Sequence, residues 1–126
     1  MKAVDGYGMK VTCLKQDVTD SSGDEFALPA AGARYVLLGL FVSGNSKGAA
    51  TSVKIEICKG GAWVEVAEVK ADALTVNGVV NVSITLPAPI ASDLQASGGT
   101  QKMLKATGSV GTVDFDVYAY GFMQES

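Results

Sequence analysis

The sequence contains no histidine, one arginine and a formal net charge of -3. Histidine is the commonest general base near neutral pH and a frequent metal ligand, so its absence excludes Ser-His-Asp and Cys-His catalytic systems. Nucleic-acid binding normally depends on clustered Lys and Arg that displace counterions from the phosphate backbone. Arg34 stands alone and the lysines are scattered along the chain, so we do not expect nucleic acid to be a partner.

Long apolar segments are also missing. No stretch approaches the roughly 20 apolar residues that span a bilayer, so no membrane partner is expected. The beginning, Met-Lys-Ala-Val-Asp-Gly, has an acid and a glycine where a signal peptide has its apolar region. We therefore expect synthesis in the cytoplasm.

Cysteine is scarce, and the two cysteines lack the spacing of a metal or redox motif. Cys13 and Cys58 are far apart in the sequence, and neither belongs to a Cys-x-x-Cys pair. We expect two separate reduced thiols, because an unpaired Cys commonly packs as a small hydrophobic residue. A disulfide formed after cell lysis is the alternative.

What the sequence does contain is enough apolar material for one core. Hydrophobic residues make up 48% of the 126-residue chain and charged residues 18%, a balance typical of a folded globular domain. We divide the chain into an N-terminal arm with a first strand at residues 1–25, a core at residues 26–122 and a tail at residues 123–126. The arm and the core belong to the same domain.

Alternation of apolar and polar residues is the dominant pattern, and a period of two is typical of β-strands. It is clearest in Thr51 to Cys58, which Gly60-Gly61 separates from the alternating run Trp63 to Ala67. Two glycines between such runs predict a β-hairpin. A further alternating run ends at Leu86, where Pro87 is expected to terminate the strand because it has no backbone donor.

The remaining strands are predicted from alternation or from apolar runs. Val113 to Tyr120 has an apolar face and a face of acids and tyrosines, whereas the continuous apolar run Arg34 to Ser43 indicates a strand covered on both sides or a buried helix. Weaker strands are predicted at Met9 to Lys15, Asp24 to Leu28, Leu74 to Val76 and Gln101 to Ala106. The total of eight or nine strands predicts an all-β, antiparallel β-sandwich with a jelly-roll-like arrangement.

Acidic residues are the only candidates for catalytic or metal chemistry. Asp114 and Asp116 would lie on one strand face at roughly 7 Å between Cα atoms, a spacing open to paired-acid catalysis. A solvated or subunit-facing sheet surface explains the same residues more simply, so we predict no enzyme, catalytic residue or cofactor. One acidic segment that contains glycine is a candidate calcium-binding loop, with Asp17, Asp20, Asp24 and Glu25 as the possible ligands. An ordinary surface turn explains the same residues as well.

Aromatic residues are candidates for a binding surface. Trp63, Tyr118 and Tyr120 lie in predicted strands, and exposed Tyr and Trp side chains are enriched in protein interfaces. An exposed row of aromatic rings would also suit stacking on sugar rings. We therefore keep a carbohydrate-binding or receptor-binding module as an alternative to a protein-binding role.

A family resemblance makes the binding role more specific. The segment Phe26 to Asn45, with Pro-Ala-Ala-Gly before an apolar strand, is followed by a small-residue turn and the alternating strand Val53 to Ile57. Leu86-Pro-Ala-Pro-Ile90 and the closing strand Gly111 to Gly121 follow later. This order, from Phe26 to Phe122, resembles small β-sandwich proteins encoded among bacteriophage virion genes, although Ala31 is an insertion in the usual Pro-Ala-Gly corner.

The resemblance implies a virion structural protein made in the host cytoplasm. We expect a capsid decoration or cement protein on the outside of the shell. Its expected partner is the major capsid protein, and its expected oligomeric state is a homo-oligomer, most simply a trimer. A neck, tail or fibre-attachment protein is the alternative position. The first 25 residues and the turn loops are the expected contact elements, since segments outside a sandwich are free to reach a neighbour.

Overall fold

The computed structural model describes residues 11–26, 33–46, 49–71, 79–94 and 103–125. These residues form eight strands: β1 (Val11–Val18), β2 (Asp24–Glu25), β3 (Ala33–Asn45), β4 (Thr51–Lys59), β5 (Ala62–Ala71), β6 (Val79–Ala91), β7 (Leu104–Gly108) and β8 (Phe115–Glu125). Sheet A has the strand order β1-β8-β3-β6, and sheet B has the order β2-β7-β4-β5. Every pairing is antiparallel, so the predicted all-β class is confirmed.

The inner faces of the two sheets contribute to one hydrophobic cluster. Sheet A supplies Tyr35, Leu40 and Val42, while sheet B supplies Ile55 and other apolar residues that are equally buried. Removing a large apolar side chain from water contributes roughly 1.5–3 kcal/mol to stability. The arrangement is sandwich-like, with one apolar layer between two sheets.

The strongest alternating segments are confirmed as strands with one buried face. Val53, Ile55 and Ile57 in β4 are fully buried, and Lys54 and Glu56 point to the outer face. Residues at alternate positions of β8 are buried in the same way. The period-two pattern thus identified which side chains face the core.

The Gly60-Gly61 hairpin is also confirmed. Lys59 pairs with Ala62 across the turn, and both glycines have positive φ, 65° at Gly60 and 78° at Gly61. Two consecutive left-handed residues are typical of the turn whose twist matches that of the flanking strands. Glycine adopts this conformation without a steric cost from a Cβ atom.

The prediction that a strand ends at Pro87 is wrong. Strand β6 continues through Pro87 and Pro89 to Ala91, and it lies at the edge of sheet A. An edge strand tolerates proline because one side of its backbone pairs with no neighbour. The pairing with β3 is also interrupted here, since Thr85 pairs with Gly39 and the next paired residue of β6 is Ile90.

One further boundary differs from the sequence prediction, and so does the expected role of the first 25 residues as contact elements outside the sandwich. The tail predicted at residues 123–126 belongs to β8 as far as Glu125, which pairs with Ala33. Residues 11–25 form β1, the loop after it and β2, so they are part of both sheets and are not a free contact arm. The predicted strand Leu74 to Val76 and the Pro-Ala-Ala-Gly corner lie outside the described residues.

The apolar run in β3 is a strand, as predicted, and a bulge explains why the run is continuous. The register shifts between Leu37 and Gly39 against both neighbouring strands, and against β8 this leaves Leu38 as an extra residue of β3. An extra residue reverses which positions face inward. Tyr35 and Leu37 therefore face the core before the bulge, and Leu40 and Val42 face it afterwards.

Close packing beside the bulge requires a glycine in β8. A Cβ atom at Gly121 would collide with the carbonyl oxygen of Val36 and lie 2.8 Å from Cζ of Tyr35. Tyr35 is fully buried, and its burial raises the pKa of the phenol. The tyrosine ring thus occupies the space that a side chain at position 121 would need.

We expect Gly121→Ala to destabilise the protein by about 1–3 kcal/mol, because overpacking displaces backbone or a buried ring. Gly111→Ala is the matched control, since a Cβ atom there meets nothing within 4 Å. Urea unfolding of both variants measures the difference. Equal stability of the two variants would contradict the packing described for Tyr35.

A segment after β6, residues 92–94, connects the two sheets by hydrogen bonds, and we call it the strap. Ser92 N–H donates to the Tyr35 carbonyl at 2.9 Å, and the Ser92 hydroxyl accepts the Tyr35 N–H at 2.9 Å. Asp93 N–H donates to the Cys58 carbonyl at 2.8 Å. The strap therefore bonds to β3 in sheet A and to β4 in sheet B.

The carboxylate of Asp93 also fixes the β4–β5 hairpin. It accepts the N–H groups of Gly60 at 2.9 Å and Gly61 at 2.8 Å. These two backbone hydrogen bonds, Gly61 first, lower the pKa of Asp93 because they favour its ionised form. The turn and the strap thus stabilise each other through one side chain.

We expect Asp93→Asn to lower the melting temperature at pH 7, because the amide NH2 group would face a backbone N–H donor. A lowered pKa means that the native carboxylate stabilises the fold above the ordinary Asp pKa and loses this effect as pH falls through its folded value. The difference in melting temperature between the variant and the wild type should therefore disappear at acidic pH. Leu94→Ala is the control, and a gap independent of pH would contradict the assignment.

Candidate functional site

The outer face of sheet A carries two of the aromatic residues predicted to form an interface. Strand register places Lys15, Tyr118 and Phe41 in one row across β1, β8 and β3, with Ser83 of β6 at its end. The rings of Phe41 and Tyr118 are 5.9 Å apart between centroids, and Lys15 Nζ lies 5.7 Å from the Tyr118 centroid. These contacts leave Tyr118 partly buried in the middle of the face.

The adjacent row contains Tyr120, which is 42% exposed. It lies between Cys13 on β1 and Gly39 on β3, and Thr85 follows on β6. Gly39 offers no side chain to cover the tyrosine ring, and a Cβ atom there would lie 2.8 Å from the carbonyl oxygen of Ile84. Close backbone packing thus keeps one flank of Tyr120 open.

A third row brings two acids together that sequence reasoning did not pair. Asp17 of β1 is directly opposite Asp116 of β8. Lys15 Nζ lies 3.7 Å from Asp17 Oδ1 and 3.9 Å from Asp116 Oδ1. One ammonium group therefore lies beside two carboxyl groups and beside the Tyr118 ring.

The two acids have opposite pKa shifts because they share a hydrogen bond. The bond from Asp116 lowers the pKa of Asp17, and Lys15 lowers it further. The same bond to Asp17 raises the pKa of Asp116, with partial burial as the second cause. Asp116 is thus the member of the pair that retains its proton to higher pH.

We expect Asp116→Asn to raise the melting temperature at pH 7, because the amide keeps a donor for Asp17 and removes the like charge. A raised pKa means that wild type loses stability as pH rises through the folded value. The gain should therefore disappear in acid. Thermal unfolding at several pH values measures it, with Glu25→Gln on the other sheet as the control, since Glu25 is exposed and has no acid opposite it; a loss at pH 7 would contradict this assignment.

The candidate calcium loop does not bring its four acids together. Asp17 lies on the outer face of sheet A, whereas Glu25 is opposite Lys105 on sheet B. Asp20 Oδ1 accepts hydrogen bonds from Ser22 N–H at 3.0 Å and Ser22 Oγ at 2.6 Å, and burial raises the pKa of Asp24. Within the described ranges, no three His, Cys, Asp or Glu residues form a metal-binding group.

Trp63, the third aromatic residue, lies on the opposite side of the molecule from the two tyrosines. It is opposite Cys58 on the outer face of sheet B, and Lys105 Nζ lies 4.4 Å from its ring centroid. This distance is typical of a cation–π contact. Trp63, Tyr118 and Tyr120 therefore do not form one cluster, as a single aromatic interface would require.

Most of the rest of the sheet B outer face is charged. Lys54 and Lys105 lie 3.9 Å and 3.8 Å from the carboxylate of Glu56, whose side chain is largely buried. Glu65 is opposite Glu56, and Glu68 is opposite Lys54. Such a surface costs much desolvation to cover, so sheet A has the better face for a protein contact.

The two cysteines also lie on different faces. Cys13 is exposed on the outer face of sheet A, and Cys58 is partly buried on the outer face of sheet B. An intramolecular disulfide would have to pass through the apolar layer between the sheets.

No model of a known protein family matches the chain, and a search of curated proteins finds no significant similarity. Among the described residues we find no helix with the length and apolar character needed to cross a membrane.

Proposed function

We propose that the chain is a structural protein of a bacteriophage particle, and specifically a capsid decoration protein that binds the outside of the shell. It stabilises the shell through protein–protein contacts and has no catalytic role. The sequence pattern from Phe26 to Phe122 supports the phage assignment by its resemblance to small virion proteins. The outer face of sheet A supports the binding role.

Strand order supports a jelly roll as the finer classification of the fold. A jelly roll consists of eight strands in two sheets connected as Greek keys. Here every connection except the β4–β5 hairpin crosses from one sheet to the other, which gives the orders β1-β8-β3-β6 and β2-β7-β4-β5. Viral capsid domains and lectins are among the proteins built on this fold, so the order agrees with the virion proposal and with its sugar-binding alternative.

The observation that carries the proposal is the composition of the sheet A outer face around Tyr120. Exposed tyrosine next to partly buried aromatic rings is typical of the centre of a protein interface. The row containing Tyr120 has no charged residue, and the row containing Tyr118 has only Lys15. A partner would therefore bury aromatic and hydroxyl groups at little cost in charge desolvation.

The proposed partners are the major capsid protein and further copies of this chain, most simply in a trimer. Repeated modest contacts stabilise a shell through avidity, because each copy bridges neighbouring subunits. The contact arm expected from the sequence is restricted to residues before Val11, since β1 belongs to sheet A. A neck, tail or fibre-attachment position is the alternative and would require only a few copies per particle.

We expect Tyr120→Ala to weaken binding to purified capsids by more than ten-fold, because central aromatic residues contribute about 2 kcal/mol or more to interfaces. Val64→Ala is the matched control, since Val64 is 45% exposed on sheet B. Co-sedimentation with capsids that lack the protein measures both variants. Equal binding by wild type and Tyr120→Ala would count against the sheet A face.

Copy number and mass test the remaining parts of the proposal. Electron microscopy of particles should show many copies on the outer shell, and a few copies at one vertex would indicate the neck or tail. Native mass spectrometry should give three times the chain mass of 12.9 kDa. Failure of the protein to bind any particle would overturn the proposed function itself.

The specific observation that favours a sugar-binding role is the open ring of Tyr120 in the same row as the exposed hydroxyl residue Thr85, with only Gly39 between them. An aromatic face flanked by hydrogen-bonding groups can stack on a sugar ring. A glycan array separates the two roles. Saturable glycan binding that Tyr120→Ala abolishes, without binding to capsids, would favour a carbohydrate-binding module.

A further inference from the structure

The first half of β6, Val79–Thr85, is an open edge of sheet A. β6 is the outermost strand of the sheet and pairs with β3 on one side. The register with β3 is unbroken from Val79 to Thr85, so this segment is regular extended backbone. Every second residue of such a strand directs its N–H and C=O groups away from the sheet, where a further strand can pair with them. Among the strands of the described residues, none pairs with this side of β6.

The other strand edges in the described part of the chain are short, charged or irregular. β2 has two residues, β1 carries Lys15 and Asp17, and the pairing of β5 is interrupted at Val66. The second half of β6 contains two prolines. All these features discourage the addition of a strand. The first half of β6 has none of them, since Val79–Thr85 contains no charged residue, no proline and no shift of register.

The side chains of this segment leave room for a neighbour on the open side. Val80, Val82 and Ile84 pack against the core cluster but are only partly buried. Asn81 and Ser83 are exposed on the outer face. The apolar layer is therefore incompletely covered along β6. One more strand would extend both the apolar face and the polar face of this edge.

A second copy of this chain fits the segment because the segment is complementary to itself. Val82 is its midpoint, so an antiparallel pair of β6 strands with Val82 opposite Val82 uses the whole segment. In this register Asn81 of each copy lies opposite Ser83 of the other, and Val80 lies opposite Ile84. Apolar side chains meet on one face, an amide meets a hydroxyl on the other, and no like charges approach. A two-fold interface requires such self-complementarity.

We infer that two copies of the protein pair antiparallel through the first half of β6, with a two-fold axis at Val82. The A sheets of the two copies then form one continuous sheet. A shift by one residue is excluded, because it would set the apolar face of one copy beside the polar face of the other. The prolines after Thr85 end the pairing, since proline has no backbone donor.

This contact is weak because of its size, and it is separate from the proposed trimer contact. The segment is much shorter than the roughly 20–30 residues that each partner contributes to a stable interface, so the association depends on concentration. A two-fold contact joins units in pairs. It doubles the mass of the unit that it joins, whether that unit is a single chain or a trimer. The inference does not rest on the proposed virion role.

The test is sedimentation equilibrium of the full chain over a series of concentrations, combined with ¹⁵N NMR spectra at the same concentrations. The mass should rise towards twice its value in dilute solution. The amide signals of residues 79–85 should shift as the mass rises, because backbone hydrogen bonds form there. The amide signals of residues 13–18, in the strand at the opposite edge of sheet A, should stay unchanged.

Two double variants test the register. Asn81→Lys combined with Ser83→Lys places like charges opposite each other and should weaken the association about ten-fold. Asn81→Lys combined with Ser83→Glu places opposite charges at the same positions and should restore the association. Thr19→Lys combined with Ser21→Lys is the control, because it adds the same charge at exposed positions in the loop after β1. This control should associate like the wild type.

Four results would overturn the inference. These are a mass that does not change with concentration, a mass increase without shifts at residues 79–85, equal association of the wild type and the variant with two lysines in β6, and no recovery in the variant with one lysine and one glutamate. All the substituted side chains are exposed, and the NMR spectrum of each variant shows whether it is folded. Loss of pairing through β6 would leave capsid binding through Tyr120 unchanged, so the two proposals fail separately.

Discussion

Sheet A depends on the position of one strand, β3, which pairs with β8 on one side and β6 on the other. A central strand has to satisfy backbone hydrogen bonds on both edges while its inner side chains fill the core. The bulge at Leu38 changes which positions of β3 face inward, and both neighbours accommodate it at the same place. On the β8 side, the bulge is accompanied by close packing that requires Gly121. On the β6 side, it is accompanied by irregular pairing before Ile90.

The same bulge governs the surface on the outside of sheet A. Gly39 follows Leu38 and pairs with Tyr120, so the residue next to this exposed tyrosine is one without a side chain. Further along β3, Phe41 pairs with Tyr118 and covers part of its ring. Core packing and surface composition are therefore set by the same register, and a shift of one residue would alter both.

Edge strands show how the fold limits unwanted pairing. In β1 the outer face carries Lys15 and Asp17, and in β5 the pairing with β4 is interrupted at Val66, next to Glu65. Prolines occupy the second half of β6. Charges, bulges and prolines are the usual devices by which β-proteins protect their edges, which leaves the faces as the more favourable surfaces for specific contacts.

Local patterns made much of this fold predictable from the sequence. Alternation identified the buried residues of β4 and β8, and Gly60-Gly61 identified the hairpin, because each feature depends on neighbours in the chain. The bulges at Leu38 and Val66 were not predictable, since they depend on strands distant in sequence. For the same reason the sequence alone could not predict that Asp17 lies opposite Asp116. It also could not predict that Trp63 lies on a different sheet from Tyr118 and Tyr120.

Lys15 connects the charged and aromatic parts of the sheet A face. It lies beside the Asp17–Asp116 pair and over the Tyr118 ring, and Asp17 is the main cause of its raised pKa. An exposed ion pair contributes little stability by itself, so the cluster is better explained as a constraint on side-chain position. A lysine held over Tyr118 neutralises nearby acids and leaves the tyrosine beyond it, Tyr120, as the uncharged exposed part of the face. The row that contains Tyr120 is therefore uncharged, and the charges nearby are one ammonium group and two carboxyl groups that lie beside each other.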